Sequence, residues 1–471
     1  MSRLNPVNPA FLDEMHRALP RRAFRDDAQP YLSEPRGIWT GHAGAVLAPG
    51  DAGEVAAILR AANKARIAVI PFSGGTGLVG GQVAPDLAAP IVLSTERMNA
   101  IHAVYPDENV FIVGAGAILQ DVRAKAEKAG RYFPLMLGSQ GSARIGGLLA
   151  TNAGGMNVLR YGNARDLCLG IEAVLADGTV IHGLKRLRKD NTGYDLRNLL
   201  IGSEGTLGII TAASLRLFRK PADTVTGYLA VPNPKAALEL LALAQELAGD
   251  TLSVFELMSG TGFEFMARTM PERRLPLQPI PDWSVLFEVG LAAGLDARAV
   301  AERLFEQAMG AGLVLDGVIA QGAAQRDAFL ETRELIPEAN RRIGAISSHD
   351  ISVPLSAIPQ FIEEARARVL AHGPYRINCF GHLGDGNLHY NLYPPQGEDR
   401  AAWIGRSHEI ARILHDLVAE FDGSFSAEHG IGRLKTGDLE RYGDPGRLAA
   451  MKAIKDALDP NGILNPGAVL A

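Results

Sequence analysis

The sequence predicts an α+β protein with two domains, and three observations support this prediction. Between residues 38 and 219, short apolar runs typical of strands alternate with helical stretches. After Lys220-Pro221 the chain changes to helices rich in alanine and leucine, interleaved with further strand candidates. Glycine is abundant, at 52 of 471 residues, and its densest clusters lie in the first part. We therefore predict an N-terminal extension at 1–37, a first domain at 38–219 and a second domain at 220–471.

Hydrophobic periodicity and turn residues predict the individual elements. Val55, Ile58 and Ala62 recur at helical spacing. They predict a helix from Ala52 to Ala65. The predicted strands of the first domain are Ala45 to Ala48, Ala68 to Phe72, Ile91 to Leu93, Val110 to Val113 and Ile209 to Leu217. In the second domain, helices are predicted at Ala236 to Leu247 and Leu295 to Ala311, and strands at Thr251 to Leu257 and Trp283 to Val289.

Composition limits the class of protein. A hydrophobic content of 47% and a net charge of −5, with acids and bases interspersed, suit a soluble globular protein and offer no basic face for nucleic acid. With Cys168 and Cys379 as the only cysteines, a disulfide framework is excluded, and we expect both thiols to be buried. The chain lacks an uncharged apolar stretch of membrane-spanning length, and its start lacks the apolar core of a signal peptide. We expect a cytoplasmic protein; a transit peptide is not favoured.

The segment His382-Leu-Gly-Asp-Gly-Asn-Leu-His389-Tyr-Asn391 contains two histidines around a glycine turn. In one unbroken strand their odd separation would direct the two imidazoles to opposite faces. The turn Gly384-Asp-Gly-Asn387 removes this objection, because two glycines allow the chain to reverse and bring both histidines to one side. Asn391, two residues on, then shares the face of His389.

The motif Glu428-His429-Gly-Ile-Gly follows about forty residues later. Glu428 with His382 and His389 makes the two-imidazole, one-carboxylate set of a catalytic metal site that keeps a coordination position open. His429 would stand beside the metal, free to move protons. These ligand types suit several divalent ions, zinc, manganese and iron among them, and zinc is the one we favour.

Three glycine-rich segments, at 74–81, 138–155 and 202–208, indicate a cradle for a large cofactor. Pro71-Phe-Ser-Gly-Gly-Thr-Gly-Leu-Val-Gly-Gly81 follows a strand-like run, and its backbone N–H groups could point at a diphosphate. It matches neither the Walker pattern nor a Rossmann unit, so simple ATP or NAD binding is disfavoured. The other two segments add small hydroxyl and amide side chains among glycines.

The motifs Gly-Gly-Thr-Gly, Thr-Asn-Ala-Gly-Gly and Gly-Ser-Glu-Gly-Thr-Leu-Gly-Ile resemble the FAD-binding domain of the vanillyl-alcohol oxidase and p-cresol methylhydroxylase family. Three segments are similar to its D-lactate and D-2-hydroxyglutarate dehydrogenase branch: His382 to Asn391, Glu428-His429-Gly-Ile-Gly, and the ending Leu458-Asp-Pro-Asn-Gly-Ile-Leu-Asn-Pro-Gly467. The resemblance implies a p-cresol methylhydroxylase-type FAD-binding domain followed by an α+β substrate domain with an antiparallel sheet, from which the C-terminal segment returns to the flavin. The first glycine loop lacks a histidine or cysteine nucleophile, so we expect non-covalent FAD. The FAD contacts implied are Pro71, Gly74, Gly75, Thr76, Gly77, Leu78, Pro134, Gly138, Ser139, Gly146, Thr151, Asn152, Gly155, Gly205, Ile209 and Asn465.

The same resemblance implies oxidation of a D-2-hydroxy acid to the 2-oxo acid, with hydride passing to flavin N5 and electrons to an acceptor other than NAD. The metal would hold the substrate's carboxylate and hydroxyl, and His429 would take the hydroxyl proton. Asn391 would hydrogen-bond the substrate, and Arg333 would bind its carboxylate. Three acceptors stay open: a quinone, a cytochrome and an electron-transfer flavoprotein. A homodimer is also open.

Two positions depart from the hydroxyglutarate members of the branch. Where those members carry a threonine and a lysine for the distal carboxylate, this chain has Pro337 and Ser348. The departure removes a cation and a hydroxyl donor, so we favour D-lactate or another short acid over D-2-hydroxyglutarate, with His349 as a partial substitute. An oxygen-using 2-hydroxy-acid oxidase and a non-catalytic flavin or metal sensor remain as further alternatives.

Overall fold

The computed structural model describes residues 4–470. Contacts within the chain divide it into two compact units. Of the described residues, the first unit contains 4–154, 162–220 and 428–470, and the second contains 155–161 and 221–427. None of the helices between residues 4 and 470 is long and apolar enough to cross a membrane.

The described residues form sixteen strands and fifteen α-helices, numbered here in chain order. The strands are β1 (Phe24–Arg25), β2 (Ala45–Leu47), β3 (Val69–Phe72), β4 (Ile91–Ser94), β5 (Ile101–Tyr105), β6 (Val110–Gly114), β7 (Cys168–Val174), β8 (Val180–Gly183), β9 (Ile209–Arg216), β10 (Asp223–Val231), β11 (Leu252–Ser259), β12 (Trp283–Leu291), β13 (Asp316–Ile319), β14 (Ser347–Ser352), β15 (Arg376–Gly381) and β16 (Asn387–Tyr393). The helices are α1 (Pro9–Ala18), α2 (Ala52–Ala65), α3 (Leu119–Lys128), α4 (Ile145–Ala150), α5 (Val158–Tyr161), α6 (Leu196–Leu200), α7 (Pro234–Ala248), α8 (Gly260–Thr269), α9 (Ala297–Gly310), α10 (Ala323–Glu334), α11 (Ile336–Ile343), α12 (Ile358–His372), α13 (Ser407–Glu420), α14 (Thr436–Tyr442) and α15 (Pro445–Leu458).

The first unit contains two sheets. One has the order β1-β2-β4-β3, in which β2, β4 and β3 run parallel. Helix α2 begins where the Asp51 side chain accepts the N–H of Glu54, and its buried face carries Val55, Ile58 and Leu59. These side chains pack with residues of β3 and β4 in one apolar core. The second sheet, β5-β6-β9-β7-β8, is antiparallel.

The second unit is built on a seven-stranded antiparallel sheet with the order β13-β10-β12-β11-β15-β16-β14. Side chains alternate between its two faces because successive residues of a strand point in opposite directions. One face is apolar: Leu257, Phe287 and Leu388 lie in a continuous core that also contains residues of α7, α9, α12 and α13. The opposite face carries the polar residues of the site. Helices α8 and α10 contact it, since the Tyr228 ring lies 6.0 Å from the ring of Phe263 and 5.8 Å from that of Phe329.

The α+β class predicted from the sequence is confirmed, and every predicted element is present. Helix α2 has the predicted bounds, and the other predicted elements match to within about three residues at each end. Cys168 and Cys379 are both buried, as expected, and burial raises the pKa of each thiol to about 12. The chain enters the second unit briefly at residues 155–161, enters it again after Lys220 and leaves it after Ala427, so residues 428–470 belong with the first unit.

A buried carboxylate fixes the C-terminal segment of the first unit. Asp459 accepts hydrogen bonds from the N–H groups of Ile463 and Leu464, at 3.0 and 2.8 Å. Asp459 also pairs with the Lys455 ammonium at 2.5 Å, and this ammonium donates a further hydrogen bond to the Thr206 carbonyl oxygen. Because Asp459 is only 2% exposed, it depends on these donors instead of water.

The replacement Asp459→Ala should lower the free energy of unfolding by about 3 kcal/mol, because the half-buried Lys455 ammonium and two backbone N–H groups would lose their acceptor. Urea unfolding of the FAD-loaded protein measures this change. Asp456→Ala, at an exposed position of the same helix, is the matched control and should change stability by less than about 0.5 kcal/mol. Equal effects of the two replacements would contradict the structural role of Asp459.

Candidate active site

The first glycine loop presents a row of backbone donors. The N–H groups from Gly74 to Leu78 donate to no acceptor among residues 4–470. Gly75 has φ +68°, in the left-handed region that suits glycine, and a β-carbon at Gly74 would lie 2.5 Å from the Ser142 carbonyl oxygen. Gln82 holds the loop by donating its side-chain amide to the Gly77 carbonyl oxygen at 2.8 Å. Such a row of N–H groups fits the phosphate oxygens of a dinucleotide.

The other two glycine segments meet this loop within the first unit. Ser73 Oγ accepts the N–H of Gly147 at 3.1 Å. A β-carbon at Gly205 would lie 2.5 Å from Pro71 Cγ, so the third segment packs directly against the strand before the loop. Asn465 Nδ2 donates to the carbonyl oxygens of Gly81 and Glu204, both at 2.9 Å. The structure therefore brings Asn465 and all three segments together.

The remaining predicted FAD contacts fall on both units. Thr151 ends helix α4, and its hydroxyl donates to the Gly147 carbonyl oxygen at 3.1 Å. Asn152 has φ +51° and accepts the Arg165 N–H at 3.0 Å. In the first unit lie also Thr76, Pro134, Gly138, Ser139, Gly146 and Ile209, whereas Gly155 begins the second unit. Their contacts with FAD stay a prediction.

Glu204 is a site residue that the sequence analysis missed. Its carboxylate accepts the N–H groups of Ile431 and Gly432 at 2.7 and 2.8 Å, which fixes the turn that follows Glu428-His429. Burial raises the pKa of Glu204, although these two N–H groups oppose the shift. A β-carbon at Gly430, where φ is +80°, would lie 2.6 Å from Glu204 Oε1. The signal in the sequence was a single carboxylate between glycines in Gly-Ser-Glu-Gly.

The polar face of the seven-stranded sheet gathers the predicted residues of the second unit. Asn391 in β16 pairs with Ser348 of β14 on one side and with Asn378 of β15 on the other. His389 likewise pairs with Asp350 and Phe380. Asn391 and His389 therefore share one face, as the sequence predicts. The turn at Gly384–Asn387 reverses the chain between β15 and β16, with Gly386 at φ +86°.

The two histidines lie side by side, with ring centroids 5.7 Å apart. His382 Nδ1 lies 2.5 Å from Glu256 Oε1, and His389 Nδ1 lies 3.8 Å from Asp350 Oδ1. A carboxylate on Nδ1 is the usual neighbour of a metal-binding histidine, because it leaves Nε2 for the metal. Burial raises the pKa of the Glu256 carboxyl, but the neighbouring His382 and Arg333 outweigh burial and hold the pKa well below its usual range.

Arg333 is 4% exposed and lies in the last turn of helix α10. Its Nε donates to Glu256 Oε2 at 2.7 Å, and its guanidinium carbon lies 4.8 Å from the centre of the Phe380 ring. Its Nη2 is buried and makes no hydrogen bond to the described part of the chain. A buried donor without an acceptor is costly, so this nitrogen fits a ligand that brings a carboxylate or another acceptor.

Glu428 follows Ala427 directly in the chain, and the Ala427 N–H donates to the Asp350 carbonyl oxygen at 3.3 Å. The two histidines predicted as ligands lie together in the second unit, and Glu428 is the first residue of the segment that belongs to the first unit. The donor types of this predicted set, two imidazoles and one carboxylate, suit a divalent metal.

His349 does not take the role expected of it. As its neighbour Ser348 lies on the polar face, strand alternation directs His349 to the apolar face. There it contacts Ser347 Oγ at 2.7 Å and His415 Nε2 at 3.2 Å. The expectation that His349 substitutes for the missing lysine is therefore wrong. Pro337 and Ser348 are both exposed.

Comparisons with known proteins agree with this architecture. A model of the C-terminal domain of FAD-linked oxidases matches residues 220–469, and a model of an FAD-binding domain matches residues 43–183. The solved structure of p-cresol methylhydroxylase with substrate bound has a similar fold, with a TM-score of 0.76 at 15% identity, covering 99% of this chain and 98% of that one. The 4-ethylphenol oxidase of Gulosibacter chungangensis, in its isoeugenol complex, gives 0.74 at 19% identity, with coverages of 98% and 96%.

Curated relatives are closer in sequence. The D-2-hydroxyglutarate dehydrogenase of Stutzerimonas stutzeri is 34% identical over 471 residues, which span 99% of this chain and all of that protein. The mitochondrial D-2-hydroxyglutarate dehydrogenase of Bos taurus is 37% identical over 459 residues, which span 97% of this chain and 82% of that protein. This chain thus belongs to the vanillyl-alcohol oxidase and p-cresol methylhydroxylase family of FAD-linked oxidoreductases, and within it to the D-lactate and D-2-hydroxyglutarate dehydrogenase branch.

The replacement Gly74→Ala should weaken FAD binding by about tenfold or more, or about 1.4 kcal/mol, because its β-carbon would displace the loop from Ser142. Fluorescence titration of the apoprotein with FAD measures the dissociation constant. Gly437→Ala, in helix α14 with no atom within 4 Å of the added carbon, should bind FAD like the parent. Parent-like affinity of Gly74→Ala would exclude this loop as the diphosphate cradle.

Proposed function

We propose that this protein is an FAD- and divalent-metal-dependent D-2-hydroxy-acid dehydrogenase, and that D-2-hydroxyglutarate is its substrate. The observation that carries the proposal is the buried Arg333 guanidinium, with an unsatisfied Nη2, on the same polar face as His382 and His389. A cation for a carboxylate beside ligands for a metal suits an acid that bears a hydroxyl next to its carboxylate. The named activity of the relatives supports D-2-hydroxyglutarate.

The residues divide the work as follows. When bound, FAD would supply the hydride acceptor for C2, and a divalent metal, which His382, His389 and Glu428 would hold, would supply a Lewis acid for the C2 hydroxyl. Arg333 holds the substrate through its free guanidinium nitrogen, which fixes the orientation of C2. Asn391, two residues after His389 in strand β16, donates a hydrogen bond to the substrate. His429 takes the hydroxyl proton on an imidazole nitrogen, since imidazole titrates near neutral pH.

A second candidate substrate is D-lactate, and one specific observation favours it. Pro337 offers no donor and Ser348 no positive charge for the distal carboxylate of a five-carbon diacid. D-Lactate has no distal carboxylate, so it would need neither contact. In this proposal the electrons leave the flavin for a quinone, a cytochrome or an electron-transfer flavoprotein, and oxygen is a poor acceptor. A cytoplasmic location is part of the same proposal.

Anaerobic stopped-flow measurement of flavin bleaching tests the substrate directly. The metal-loaded protein is mixed with D-2-hydroxyglutarate, D-lactate and the two L-enantiomers, then again after chelation and after zinc is restored. We expect bleaching by D-2-hydroxyglutarate to be fastest, to be lost with the chelator and to return with zinc. Faster bleaching by D-lactate would replace the substrate and keep the chemistry. Bleaching by none of the acids would overturn the proposed function, and rapid recolouring in air would indicate an oxidase.

The replacement His429→Ala should leave the flavin bound but slow its reduction by about two to four orders of magnitude, the usual range for a general base. The same stopped-flow measurement gives the rate constant, and the visible spectrum reports bound FAD. His102→Ala, at an exposed position of β5, is the control and should reduce its flavin at the parent rate. A parent-like rate in His429→Ala would remove His429 from proton transfer.

A further inference from the structure

Glu256 is the one acid of strand β11, whose eight residues are all buried. The residue itself is 0% exposed. Each of its carboxylate oxygens has a different partner: Oε1 lies 2.5 Å from His382 Nδ1, and Oε2 lies 2.7 Å from Arg333 Nε. A buried carboxylate stays ionised only when partners such as these stabilise its charge, because an unpaired buried charge costs several kcal/mol.

The hydrogen bonds of Glu256 determine which nitrogen of His382 carries the proton and how the Arg333 guanidinium is oriented. A carboxylate only accepts hydrogen bonds, so the proton of His382 must be on Nδ1, and the lone pair of Nε2 faces away from Glu256. Arg333 uses its Nε toward Glu256, which leaves the terminal Nη2 buried and available for an acceptor. One carboxylate therefore orients a metal-type imidazole and a carboxylate-binding guanidinium at the same time.

We propose that Glu256 is a positioning residue that sets the metal affinity of His382 and the substrate affinity of Arg333 together. This inference rests on the proposed function, since it requires a divalent metal at His382 and an acid at Arg333. It extends that function by coupling the two binding sites: a change at Glu256 alters both, although Glu256 touches neither ligand. The nearest alternative is that Glu256 only neutralises a buried arginine and stabilises the sheet.

The chain offers a matched control for this alternative. Glu288, on the neighbouring strand β12, is also buried at 7% exposed and pairs with Arg326 at 2.7 and 3.0 Å. It accepts a further hydrogen bond from Thr226 at 3.0 Å. Glu288 thus resembles Glu256 in that both are buried and both pair with an arginine. The difference is the second partner, which is a hydroxyl group for Glu288 and the His382 imidazole for Glu256. Glu288→Gln thus removes the charge from a buried carboxylate whose partners named here include no predicted metal ligand, with the Arg326 side chain 31% exposed against 5% for Arg333.

The test compares Glu256→Gln with Glu288→Gln. In Glu256→Gln the new amide nitrogen would face one of two donors, so His382 or Arg333 must reorient. We expect zinc affinity, measured on the FAD-loaded, metal-free protein by competition with a chromophoric chelator, to fall about 10- to 100-fold in Glu256→Gln. In the same variant the KM for the hydroxy acid should rise about tenfold at saturating zinc. The reason is that Arg333 would lose the Glu256 carboxylate that orients its guanidinium. Glu288→Gln should bind zinc within about twofold of the parent.

Each outcome separates the possibilities. Parent-like zinc affinity in Glu256→Gln, with the parent itself binding zinc, would overturn the role of Glu256 and leave the proposed function intact. Equal loss in both variants would overturn it in favour of a general structural effect. Absence of zinc binding by the parent would overturn the metal-dependent function and this inference with it. If Glu256→Gln does not fold, Glu256→Asp serves instead, and because it keeps the charge on a shorter side chain we expect its zinc affinity to fall by about tenfold.

Discussion

The second unit depends on one geometric constraint, the two-residue alternation of side chains along a β-strand. Each strand of its sheet contributes apolar residues to one face and polar residues to the other. In β16 the residues Leu388, Tyr390 and Leu392 enter the core, whereas His389 and Asn391 lie on the opposite face. A shift of one residue in register would bury the site residues in the core and expose the core to the site. The packing of the core therefore also fixes which side chains can bind a ligand.

The polar face carries charges that are buried, and its pattern of pairing reflects the cost of that burial. Glu256 and Glu288 each have an arginine partner, and Asp350 accepts a hydrogen bond from Asn387 at 2.9 Å. Buried ion pairs of this kind add little net stability compared with apolar packing, because desolvation offsets the attraction. Their effect is to hold each side chain in one orientation, since every partner fixes the position of a carboxylate oxygen. In the first unit, the buried carboxylates of Glu204 and Asp459 are likewise held by hydrogen-bond donors.

The sequence predicted the class and the elements of this fold because both follow from local patterns. Helix α2 has an N-cap, a helical period and a C-terminal turn within fourteen residues, so its bounds needed no tertiary information. The turn between His382 and His389 was likewise determined by its glycines. Glu256 and Glu204 were beyond such reasoning, because their partners are 126 and 227 residues away along the chain. His349 was misjudged for a related reason: sequence adjacency to Ser348 suggested a shared role, whereas alternation separates the two residues by the thickness of the sheet.

The hydrogen bonds of Asn465 have a consequence for the synthesis of the protein. Its amide closes the first glycine loop by donating to Gly81, 384 residues earlier in the chain. At a translation rate of about 5–20 residues per second, the loop is complete in sequence for roughly 20 to 80 s before this partner is made. The first glycine loop of the nascent chain therefore lacks this hydrogen-bond donor until Asn465 has been made. Closure of the loop by Asn465 is thus separated from the synthesis of Gly81 by 384 residues of elongation.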